Sequence, residues 1–144
     1  MRILASLIVL LSLCSWAYAS DLEGSLVLKT GGGIFEPAFT VSLSASGTLV
    51  ASKTRTVNTA AKQFKRDLGS AQRDQIFALA SESTDFAVGC GQVADGTSAG
   101  MKVIYKGSEH TFSCDNAPQW PIGRATAAFL KTLNRLLPKD MQVF

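Results

Sequence analysis

The chain is poor in groups that do chemistry: it has one histidine, His110, three cysteines and four prolines in 144 residues. A single imidazole argues against a zinc centre, which needs three or four Cys, His or carboxylate ligands. Asp95-Gly96 lacks the spaced acidic residues of a calcium loop, so no metal or other cofactor is expected. Stacking aromatics are also scarce where cations gather. Lys53, Arg55, Lys62, Lys65 and Arg66 are interleaved only with Phe64, which does not make a single-strand nucleic-acid platform. No apolar run reaches the about 20 residues of a membrane span.

One apolar run does stand out, at residues 3–13 behind Arg2, followed by Ala17-Tyr18-Ala19. That is the pattern of a signal peptide, and cleavage is expected before Ser20. Cys14 falls inside the discarded part, because a lipidation site wants a small residue before its cysteine and Leu13 stands there. Residues 20–144 then form a single exported domain, secreted or periplasmic, long enough to bury a core. Its formal charge is +2 once Arg2 is lost, too little for general attraction to nucleic acid or anionic lipid. Cys90 and Cys114 remain as an even pair, which predicts one disulfide in an oxidising compartment. Closing that loop of about 25 residues contributes roughly 3.5 kcal/mol.

Periodicity supplies the elements. Leu26 and Leu28 share one face of a first strand, and Phe39, Val41 and Leu43 alternate with Thr40, Ser42 and Ser44. Ser46-Gly47 marks a turn into a partner strand carrying Leu49 and Ala51. The basic segment 53–66 reads as an edge strand and loop whose charges discourage aggregation. Ser70 is expected to cap a helix along Leu68, Gln72, Ile76, Leu79 and Ala80. A Gly-rich aperiodic stretch holding Cys90 leads to a second hairpin, Met101, Val103 and Tyr105 before Lys106-Gly107 and 111–114 after it. A closing helix carries Ile122, Thr126, Phe129, Leu130, Leu133, Leu136 and Leu137, and Pro138 stops it. The expected fold is α+β: a mostly antiparallel sheet of four to five strands from two hairpin units, each followed by a helix, in a two-layer sandwich.

The most prominent candidate site is Gly31, Gly32, Gly33, Ile34, Phe35 and Glu36. It is not a phosphate loop, since no Gly-Lys-Ser/Thr follows and Glu36 occupies the third glycine position of a dinucleotide fingerprint. A strand rather than a helix comes next, so no helix N-terminus waits for an anion. His110, Ser113 and Asp115 resemble a triad as letters, but strand parity sends His110 to the face opposite the other two. Glu82 and Asp85 read as solvated carboxylates at a helix exit. Binding rather than turnover is expected, through an apolar pair on a segment whose glycines permit close approach.

The succession "KTGGGIF", a hairpin, a helix, "ADGTSAGMKVIYKG", "CDNAPQW" and a Leu-rich closing helix is similar in layout to the emfourin-type inhibitors. Those are small α+β proteins that inhibit thermolysin-like zinc metallopeptidases. The family's Ser/Thr-Gly-Gly-aromatic start falls on Thr30, Gly31 and Gly32, with a third glycine before Ile34-Phe35 in this chain. The resemblance implies a peptidase as protein partner, met by the 31–37 loop. Two other functions compete with it: an envelope structural or assembly component binding a macromolecule through the basic 53–66 segment, and a small hydrolase using His110.

Overall fold

The computed structural model describes residues 24–31 and 36–143; the expected signal peptide lies outside them. The chain forms β1 Gly24–Thr30, β2 Phe39–Ser44, β3 Thr48–Lys53, β4 Lys62–Asp67, α1 Ser70–Ser81, β5 Thr97–Tyr105, β6 Ser108–Ala117 and α2 Arg124–Asn134, then a 3-10 turn, Lys139–Met141. The strands make one sheet in the order β4-β3-β2-β1-β5-β6, with every neighbouring pair antiparallel. The α+β class is as expected, but the sheet has six strands rather than four to five.

The strand beyond that count is β4, which falls in the basic segment read as edge strand and loop, where hydrophobic alternation is weak. Only Phe64 is partly buried there, because an edge strand contacts one neighbour and leaves its other side in water. β4 is specified instead by its pairing with β3, from Thr48 opposite Asp67 to Lys53 opposite Lys62. Two lysines directly opposite one another would be destabilising. Here Lys62 pairs with Asp140 of the 3-10 turn, and the Lys53 ammonium lies 5.4 Å from the Phe39 ring centroid.

The turns follow local chemistry. Lys106 and Gly107 have φ of 50° and 74°, the two left-handed residues of a two-residue hairpin between Tyr105 and Ser108. At the β2–β3 turn Gly47 has φ of 93°, and the Ser44 hydroxyl accepts the Thr48 N–H at 3.0 Å. In β6 an irregularity sets Cys114 opposite Ala99 but Ala117 opposite Thr97. One extra residue on β6 shifts the parity, so Cys114 and Ala117 both turn inward although three positions apart. Asn116, at φ 56°, takes the left-handed conformation that asparagine tolerates.

One side of the sheet supplies the core. Leu26 and Leu28, Val41 and Leu43, Leu49 and Ala51, and Met101 and Val103 are all at most 2% exposed, in one cluster with Ile76, Phe77, Phe129 and Leu133. Each of these larger side chains contributes about 2 kcal/mol by burial. The α2 stripe appears as expected at Thr126, Phe129, Leu130 and Leu133, with Leu137 buried beyond it. Ile122 is the exception: it is 47% exposed and lies against Gly89.

In α1 the phase differs from expectation. The buried residues are Ile76, Phe77 and Ala80, Gln72 is exposed, and the Phe77 ring stacks on Tyr105 at 5.6 Å. Tertiary contact with β5 and β1 selects that face; the helix's own weak amphipathicity does not. Gly69 rather than Ser70 is the N-cap, because Arg73 N–H donates to the Gly69 carbonyl at 3.0 Å.

Candidate binding surface at one end of the sheet

The register places the end of β1, the start of β2, the end of β3 and the start of β4 in a single row: Thr30, Phe39, Lys53 and Lys62. The 31–38 and 54–61 connections therefore leave the same end of the sheet. Gly32, Gly33, Ile34 and Phe35 lie outside the described residues; Gly31 and Glu36, which flank them, lie within. Gly31 donates its N–H to the Ser98 carbonyl at 3.0 Å, and its φ of 70° favours glycine. A Cβ there would also meet the Pro37 carbonyl oxygen at 2.9 Å. Glu36 is exposed.

The far flank is bonded twice to the neighbouring connection. Thr54 N–H donates to the Ala38 carbonyl at 2.9 Å, and Ala38 N–H donates to the Thr54 hydroxyl at 2.9 Å. Beyond Thr54 the second connection folds on itself. The Thr56 hydroxyl accepts the N–H groups of Asn58 and Thr59 at 3.3 and 3.1 Å, and Thr56 N–H donates to the Thr59 carbonyl at 2.9 Å. This turn buries Thr56 and leaves Val57 66% exposed at its tip. Residues 55–61 line a concavity of about 410 Å³.

The basic segment is split by this geometry. Lys53, Arg55 and Lys62 stand at the loop end, while Lys65 and Arg66 lie further along β4. The segment's first three cations thus share an end of the sheet with Gly31 and Glu36. The Thr54 to Ala38 link escapes sequence reading, because a hydroxyl bonded sixteen positions away leaves no local pattern.

The other candidates stand elsewhere. His110 is half-buried opposite Val103, its ring parallel to Phe112 with centroids 6.1 Å apart. Ser113 and Asp115 are exposed on the other side of β6, so the three do not converge. Among the described residues no three His, Cys, Asp or Glu side chains are grouped to hold a metal ion. Cys90 and Cys114 do form the expected disulfide, with Cα atoms 5.3 Å apart. It joins the aperiodic 84–96 stretch to β6, beside the N–H groups of Gly91, Gln92 and Val93 that donate to the carbonyls of Asp115 and Asn116.

Asp85 departs from its solvated reading. Its carboxylate accepts Ala125 N–H at 2.8 Å, Thr126 N–H at 2.9 Å and the Thr126 hydroxyl at 2.7 Å, capping α2 from a distance. Burial pushes its pKa up, but the Thr126 hydroxyl and the two N–H donors outweigh this and hold it below the ordinary 3.8. The Gly123 N-cap has no capping side chain of its own, and a Cβ there would overlap Asp85.

No protein-family model and no curated protein matches this chain.

Proposed function

We propose that the protein is an exported, non-catalytic binding protein that presents the 31–37 loop, with the 54–61 connection beside it, to a peptidase. The observation that carries this reading is the pair of hydrogen bonds between Ala38 and Thr54. A recognition loop binds tightly when its ends are held on a rigid base, since less freedom is lost on association. Both ends of this loop are bonded to neighbouring backbone, at Ser98 and at Thr54. The disulfide suits an oxidising compartment, secreted or periplasmic. Among the described residues no helix is long and apolar enough to cross a membrane. In this reading the two helices form one layer on the buried side of the sheet, and the Ser, Thr and Lys side stays open.

The test is a panel of purified metallo- and serine peptidases assayed with the mature protein. Inhibition of a thermolysin-like enzyme, lost on replacing Ile34 and Phe35 by serine, is the expected result. Full peptidase activity across the panel at about 10 µM protein overturns the reading, since useful inhibitors bind below that level. A second reading, an envelope assembly component, draws on the exposed cations of β4. It predicts a pull-down partner that is lost when Lys65 and Arg66 are changed to glutamate and kept when Ile34 and Phe35 are changed.

A further inference from the structure

We infer that the groove along the outer side of α2 is a binding site for a small amphipathic carboxylate, an apolar tail ending in an anionic head. The groove has a volume of about 390 Å³, within the usual range for small-molecule sites. Its base is apolar: Leu130, only 3% exposed, with Ala127 and Pro121 beside it. From Ala127 to Arg135 the helix rises roughly 12 Å, room for a medium-length acyl chain.

Its far wall is held in place. Gln142 lines the groove and donates its side-chain amide to the Asn134 carbonyl at 3.1 Å, and Val143 N–H donates to Asn134 Oδ1 at 2.8 Å. Met141 and Val143, on either side of Gln142, are 0% and 2% exposed and anchor this strap in the core. A wall bonded and anchored in this way costs little ordering when a ligand enters.

Charge selects the ligand. Lys131 and Arg135 line the groove four residues apart, hence on one side of α2, and among the described residues no carboxylate lines it with them. Among the described residues neither cation takes part in an ion pair. Cations near a helix C-terminus commonly serve its unbonded carbonyls, but the carbonyls of Leu133 and Asn134 have other donors here. Leu136 N–H donates to the Leu133 carbonyl at 2.9 Å, and Leu137 N–H joins Gln142 on the Asn134 carbonyl at 3.2 Å. Two cations without carboxylate partners among the described residues, beside a preformed apolar trough, suit a head with negative charge and a tail without any.

Isothermal titration with decanoate, decanol and decyltrimethylammonium tests this directly. Decanoate is expected to bind with Kd of about 10–100 µM, and decanol and the ammonium at least about tenfold more weakly. Lys131→Glu/Arg135→Glu, whose parent side chains are exposed, should weaken decanoate about tenfold with unchanged melting temperature. Ala127→Trp keeps both cations, fills the trough and should weaken it similarly. Absence of decanoate binding at about 1 mM, equal affinity for the three probes, or undiminished binding by the charge-reversed variant overturns the assignment.

Discussion

Asp85 takes three donors from α2 although it precedes Ala125 by forty positions. No local signature announces such a cap: Gly123 occupies the N-cap position, and the acceptor arrives from another segment. What was legible at this scale was Thr126, which lies on the apolar stripe of α2 and is buried because its hydroxyl donates to Asp85. Asp85→Ala is expected to lower stability by about 1 kcal/mol near neutral pH, the usual value of a cap. The folded-state pKa lies below 3.8, so this contribution is complete above the ordinary value and lost as pH falls through the folded one. Urea unfolding of wild type and Asp85→Ala at about pH 7 and about pH 2.5 should therefore show a gap that narrows in acid. An equal gap at both would mean that the carboxylate's charge is not what stabilises α2.

Among the elements, those with a strong period were readable and those without one were not. β1, β2, β3 and α2 declare themselves by alternation or stripe, whereas α1 takes its phase from Phe77 against Tyr105 and β4 takes its existence from β3. The aperiodic 84–96 stretch is a run of local turns, Val88 N–H to the Asp85 carbonyl and Cys90 N–H to the Ala87 carbonyl among them, fixed in place by tertiary links. Phe86 packs on Trp120 at 4.8 Å between ring centroids, Trp120 Nε1 donates to the Phe86 carbonyl at 2.9 Å, and the disulfide holds the next turn. Cys90→Ser/Cys114→Ser should cost roughly 3.5 kcal/mol by the loop-entropy estimate. Hydrogen exchange should then accelerate far more at Gly91, Gln92 and Val93 than in the β1–β2 pair. Uniform acceleration would show that the crosslink serves the whole domain rather than this stretch.

For the molecule as a whole, an open sheet leaves edges that can recruit another chain. All of β4 except Phe64 is exposed and four of its six residues are charged, while the backbone of residues 91–93 bonds to the end of β6. Arg66 stands in the register row of Leu49, Leu43, Leu26 and Val103, a charge at the β4 edge of an apolar run. Such a charge is a known device against edge pairing. Lys65→Val/Arg66→Val should change unfolding free energy by only about 0.5 kcal/mol, as expected for exposed positions, yet raise light scattering on mild heating. A monomeric variant that heats and cools as cleanly as wild type would remove this role from the β4 charges.

By itself the sequence determined the antiparallel hairpins, the α2 stripe and the Cys90–Cys114 pair, because period-two and period-3.6 hydrophobicity, turn residues and cysteine parity are local or countable properties. Only the tertiary structure decided the strand count, the phase of α1 and the role of Asp85, each of which depends on what a residue meets across the fold. The same holds for the two candidate surfaces. Glycine content marked the 31–37 loop, but the register set the basic connection beside it and two hydrogen bonds tied Thr54 to Ala38. The α2 groove was invisible in sequence, since its far wall is a strap that folds back onto Asn134 from eight and nine positions further along.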